Sequence, residues 1–170
     1  MTSKIQHIPK HKEDWVMKKI RWVLAIVSVT LATSLPCYAQ EWATTYGGVD
    51  SDMVKSIQQT TDGGYISVGS TSGNNWIIKL NSDGTLAGPS AWQKTYGPGA
   101  VRCVQEITDG GYIAAGSTSG GDWIVKLNFD GSIDWQKTYG TGFFRSIQET
   151  ADGGYIAANE GRVLKLNFDG

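Results

Sequence analysis

From Trp42 onward the chain is written in short runs of alternating character, each closed by glycine, aspartate or asparagine. Trp92-Gln-Lys-Thr-Tyr96 alternates aromatic and β-branched residues with polar ones, which predicts a strand. Arg102 to Thr108 (RCVQEIT) predicts a second strand. Asp109-Gly110-Gly111 supplies the positive φ angles of a tight hairpin. Tyr112 to Thr118 (YIAAGST) predicts a third strand, and Ser119 to Asp122 a second turn. Trp123 to Asn128 (WIVKLN) predicts a fourth, with Trp123, Val125 and Leu127 on one face. Phe129 to Ser132 then turns into the next Trp-Gln-Lys strand. Helical periodicity is absent from this region, so the expected fold class is all-β.

The pattern recurs. Asp-Gly-Gly-Tyr-Ile stands at 62–66, 109–113 and 152–156, and Lys-Leu-Asn at 79–81, 126–128 and 165–167. Trp-Gln-Lys-Thr-Tyr-Gly is identical at 92–97 and 135–140, with Trp42 to Gly47 as its degenerate first copy. The copies are read as units 42–91, 92–134 and 135–170 of one repeat domain, 40–170. Four strands in about 40–47 residues is the period of a propeller blade. The expectation is therefore a propeller-like array of three four-stranded antiparallel units, an incomplete propeller; a β-solenoid or a flat stacked β-array is the rival. Asp62, Gly63, Gly64, Asp109, Gly110, Gly111, Asp152, Gly153 and Gly154 are assigned to structural turns.

These phrases (WQKTYG, SIQxTxDGGYI, AGSTSG and WIxKLNxDG) resemble those of bacterial secreted repeat proteins classed as β-propeller-like. The likeness covers residues 42–170. It implies a propeller-type fold on an exported protein and names no reaction. Only three units are present, whereas closed single-chain propellers have about 4–8 blades. The third is trimmed: Tyr155 to Lys165 is ten positions, against 14 in the other copies. The last copy stops in the turn at Asp169-Gly170, and the missing Trp-to-Tyr strand stands at the other end as Trp42 to Tyr46. Two chains lending that strand to each other would close a six-bladed dimer; a segment of a longer repeat protein and an open monomeric array are the alternatives.

The N-terminal part reads differently. Lys18, Lys19 and Arg21 precede an apolar run from Trp22 to Leu35 and a small residue, Ala39. Residues 17–39 therefore predict a secretory signal cleaved after Ala39, and the run falls short of the roughly 20 apolar residues of a membrane span. Pro36 stands where a lipoprotein signal needs a small residue before Cys37. Residues 1–16 are read as a mis-called start or a tail. The protein is expected in the periplasm, outside the cell or on its surface, touching a membrane only through the signal before cleavage. Without residues 1–39 the chain has nine basic and 14 acidic groups, an acidic balance that excludes nucleic acid as a partner.

Candidate chemistry is sparse. Both histidines, His7 and His11, lie in the prefix, which removes Ser-His-Asp and Cys-His systems and His-ligated zinc from the repeat domain. Cys103 occupies the position of Ser56 and Ser146 and is read as a packing residue. The aspartates recur in turns, Glu106 and Glu149 in strands, and none marks a unique acid pair. Lys79, Lys126 and Lys165 precede the Asn-x-Asp-Gly turns with the wrong charge for a calcium loop. The expectation is a non-enzymatic binding or scaffolding module without metal or cofactor. Its partner would be a second copy, another envelope protein or a glycan. A fragment of a surface adhesin-like repeat protein is one alternative, and a carboxylate-dependent polysaccharide hydrolase or lyase another. Two features mark the candidate interaction surface. Lys55, Arg102 and Arg145 recur at one repeat position, and Phe143-Phe144 is an aromatic pair with no counterpart in the other copies. Trp76 and Trp123 are assigned to packing between units, with sugar stacking as the rival role.

Overall fold

A computed structural model describes residues 41–170. The readings of 1–16 and 17–39 lie outside the described residues. The described chain is all-β. Its strands are β1 (Asp52–Gln59), β2 (Tyr65–Thr71), β3 (Asn74–Leu80), β4 (Trp92–Glu106), β5 (Tyr112–Thr118), β6 (Gly121–Leu127), β7 (Ile133–Thr138), β8 (Ser146–Glu149), β9 (Tyr155–Asn159) and β10 (Arg162–Leu166). They form a seven-stranded sheet in sequence order and a three-stranded sheet ordered β10-β9-β8, with every pairing antiparallel.

One strand departs from expectation. Trp92 to Tyr96 and Arg102 to Glu106 are not separate strands but parts of the single 15-residue β4, which ends before Ile107 and Thr108. Its first half pairs with β3 (Lys79 opposite Trp92, Asn74 opposite Pro98), and its second half with β5 (Gly99 opposite Thr118, Glu106 opposite Tyr112). The change of neighbour falls at Gly97-Pro98-Gly99. Gly97 (φ 85°) and Gly99 (φ 144°) take angles that residues with a Cβ avoid, so the extended chain swings without breaking. The seven-stranded sheet is thus two four-stranded meanders in series. Each Trp-Gln-Lys strand pairs with the Trp-Ile-x-Lys-Leu strand of the copy before it. Hereafter the first unit is β1–β3 with residues 92–98, the second is residues 99–106 with β5–β7, and the third is β8–β10.

The third unit has three strands, and its trimming is symmetric. Strands β9 and β10 have five residues each against seven in β2, β3, β5 and β6, and Asn159 opposite Arg162 still leaves a two-residue turn. Two positions are missing from each strand, which preserves the register.

The core lies between sheets. Ile66, Val68 and Ile77 of the first unit meet Tyr112, Ala114, Trp123, Val125 and Leu127 of the second. On the opposite face of the second unit, Ile113, Ala115 and Ile124 meet Tyr155, Ala157 and Leu166 of the third. Both faces of β5 are therefore covered and Tyr112 through Gly116 are all buried, so this strand reads as a continuous apolar and small-residue run rather than an alternation. A third cluster places Trp76, Ile78 and Leu80 of the first unit beneath Trp42 and Tyr46. Each fully buried Ile or Leu contributes about 1.5–3 kcal/mol.

Candidate functional site

The recurring carboxylates come first, because chemistry would need them. Asp62 Oδ1 accepts hydrogen bonds from the Gly64 amide (2.9 Å) and the Thr60 hydroxyl (2.6 Å). Gly63 at φ 82° completes the turn, as do Gly110 at 83° and Gly153 at 78° in the other copies. The Lys79 ammonium, whose side chain is only 3% exposed, reaches Asp62 at 2.8 Å. Lys126–Asp109 and Lys165–Asp152 repeat the pair at the same distance. The lysines that argued against calcium are thus the partners of the turn aspartates. Burial opposes ionisation of Asp62, but Lys79, Thr60 and Gly64 outweigh it and hold its carboxyl at about 2. Asp109 is lowered in the same way, burial opposing and Lys126 and Gly111 prevailing, while Lys165 is the main cause of the depression at Asp152.

The second set caps turns. Asp83 Oδ1 accepts from the Thr85 amide (3.0 Å) and hydroxyl (2.8 Å), and Asp130 Oδ1 accepts from Ser132 in the same way. Glu106 and Glu149 join units. Glu106 accepts from the Thr61 amide (2.7 Å) and hydroxyl (3.0 Å), and Glu149 from those of Thr108 (2.9 and 2.8 Å). In return, Gln58 Oε1 accepts from the Glu106 amide (2.8 Å) and Gln105 Oε1 from the Glu149 amide (2.7 Å). Cys103 donates weakly to the Ala115 carbonyl (3.6 Å), and burial pushes its thiol up to about 12, as suits a packing residue. Trp76 and Trp123 are buried, consistent with packing rather than stacking on a ligand.

The basic row and the aromatic pair converge only in part. The Arg102 and Arg145 guanidinium groups lie over the Phe143 ring, 4.0 and 4.7 Å from its centroid. Such contacts hold a charged plane against an aromatic one. Arg145 is exposed and pairs with Glu160. Lys55 does not join them; its ammonium lies 2.8 Å from the Met53 sulfur, the residue that takes the Phe143 position in the first copy. Phe144 does not belong to any surface. It is fully buried, packed edge-on to Tyr139 at 6.3 Å, because the third copy has Arg162 where the others have Trp76 and Trp123 and the larger ring fills that space.

Beside Phe143, the residues Thr141, Gly142, Asn159 and Glu160 shape a shallow pocket of about 150 Å³. Nearby lies Asp122, fully buried, paired with Arg162 and accepting from Asn159 Nδ2 at 2.8 Å. Arg162 also donates to the Tyr139 carbonyl at 2.6 Å. Asp122 Oδ1 has no protein partner. The sequence places Asp122 in a turn, whereas it stands in β6; the one signal in the repeat is Asn75, also polar and buried, at the equivalent place in the first copy.

No protein-family model matches this chain, and no curated protein sequence is significantly similar to it. Among the described residues, no helix is long and apolar enough to cross a membrane, and no group of three or more His, Cys, Asp or Glu residues is placed to hold a metal ion.

Proposed function

We propose that this chain is an exported, propeller-type repeat module that binds or scaffolds rather than catalyses, with Arg102, Phe143 and Arg145 as its contact for an anionic partner, such as a carboxylated or phosphorylated envelope glycan. The observation that carries the reading is the pair of guanidinium groups over Phe143, a planar cationic surface suited to carboxylate or phosphate. The propeller reading is supported by the recurrence of one unit-on-unit contact, and export by residues 17–39. Nothing favours a hydrolase, since the turn aspartates and the strand glutamates are engaged in turns, ion pairs and contacts between units.

An array of anionic and neutral glycans, probed with the exported protein, tests this. Retention on the anionic members is expected, with at least about a tenfold loss, or about 1.4 kcal/mol, in Arg102→Ala/Arg145→Ala. Equal retention of the parent and the double variant, or none by either, sinks the reading.

A further inference from the structure

Two interfaces between units repeat each other closely, and the same two surfaces recur uncovered at the ends of the array. Ile66 and Ile77 on the first unit, and Ile113 and Ile124 on the second, face the next unit and are all 0% exposed. Their counterparts on the third unit are Ile156 and Val163, which are 36% and 69% exposed. The receiving side behaves likewise. Val101 and Val104 on the second unit, and Phe144 and Ile147 on the third, are between 0% and 9% exposed. Their counterparts on the first unit, Val54 and Ile57, are 52% and 58% exposed. The uncovered faces are thus the two halves of an interface already present twice.

A second, independent feature lies at the same place. Trp92 packs on Tyr112 (ring centroids 6.0 Å apart) while Tyr96 donates to the Gly131 carbonyl at 2.7 Å. Trp42 packs on Tyr65 at 5.8 Å and Tyr46 donates to the Gly84 carbonyl in the same way. The residues from Trp42 to Tyr46 therefore already occupy, on the first unit, the seat held elsewhere by the last strand of a preceding unit. They form no strand, because no neighbour is there to pair with. Strand β10, whose counterparts β3 and β6 pair with β4 and β7, has only β9 as a neighbour among the described residues.

A third feature concerns the polar contact. Where Glu106 and Glu149 cap the preceding unit, the first unit has Gln59; where Thr61 and Thr108 are capped, the third has Ala151. The charge and the hydroxyl it served are missing together. Facing each other, Gln59 can still accept from the Ala151 amide, and no carboxylate is buried without its donors.

We infer that a second copy of this chain docks head to tail on the first, the Ile156/Val163 face of each on the Val54/Ile57 face of the other, with the 42–46 segment of each added to β10 of its partner. Two copies make six units, the only multiple of three within the 4–8 blades of closed propellers. The inference rests on the propeller-type arrangement proposed above and is independent of the binding role.

The full chain, exported by a bacterial host, is weighed by size-exclusion chromatography with light scattering from low to high micromolar concentration. Twice the chain mass is expected. Val163→Glu and Ile57→Lys change exposed side chains, so each should keep the parent circular-dichroism spectrum yet weigh one copy. Mixing the two should restore the double mass, since one junction is then native and the other pairs Glu with Lys. Phe129→Glu, at a 73% exposed turn residue outside the docking faces, should leave the double mass intact. A single-copy mass in the parent overturns the inference and leaves the faces to further repeats or another envelope protein. A double mass untouched by both substitutions, a mixture that stays single, or an open ladder of masses overturns it too. A single copy that still binds anionic glycans separates the failure of docking from that of the binding reading, and a double copy that binds none does the reverse.

Discussion

At the scale of single residues, the lysine–aspartate pairs of the three turns differ mainly in how far the ammonium is withdrawn from water. Lys79 is almost wholly buried, whereas Lys165 is 46% exposed. Removing the counter-charge from a buried cation costs far more than loosening a solvated pair. Asp62→Ala is therefore expected to lower the stability of the repeat domain by about 2–3 kcal/mol, discounted because Asp62 itself is half exposed. Asp152→Ala should cost clearly less, and urea unfolding of the two variants gives the order. The same pairs dictate the response to acid. The folded-state carboxyl of Asp62 lies below its unfolded value, so the contribution is complete above about pH 4. It is lost as pH falls towards about 2. The urea midpoint should drop across that window, and Asp62→Asn should flatten the drop.

At the scale of elements, strands and turns were legible because alternation and Asp-Gly-Gly are local signals, and the hairpins formed where those signals stand. The fusion of two strands into β4 was not. Gly97-Pro98-Gly99 has the composition of a chain breaker, and only the positions of two separate neighbours, β3 and β5, make it a swivel within one strand. The aromatic pair shows the same division. Its oddness was visible in the repeat, but which ring is buried depends on Arg162, a residue from another strand that leaves room where the other copies have tryptophan. Asp122 was hidden because an aspartate beside a turn is ordinary until a neighbouring sheet closes over it. Phe144→Ala should therefore destabilise the third unit by about 3–5 kcal/mol. Phe143→Ala should leave stability nearly unchanged, a contrast that thermal unfolding followed by near-ultraviolet circular dichroism resolves.

At the scale of the whole repeat domain, the sheets are held mainly through their faces. Two of the three apolar clusters lie between neighbouring units, and the glutamate–threonine contacts join one unit to the next. Repeat counting made that modular character visible, while the matched changes at Gln59 and Ala151 gain meaning only once Glu106 is seen to reach back to Thr61. The continuity of β4 breaks the modularity at one point. Its two halves belong to different meanders but share one backbone, so fraying either half loosens the anchorage of the other. The first and second meanders should therefore melt as one cooperative block, while the third, joined to the second through side chains, a loop and one backbone hydrogen bond from the Phe144 amide to the Gly116 carbonyl (3.1 Å), should open alone at lower free energy.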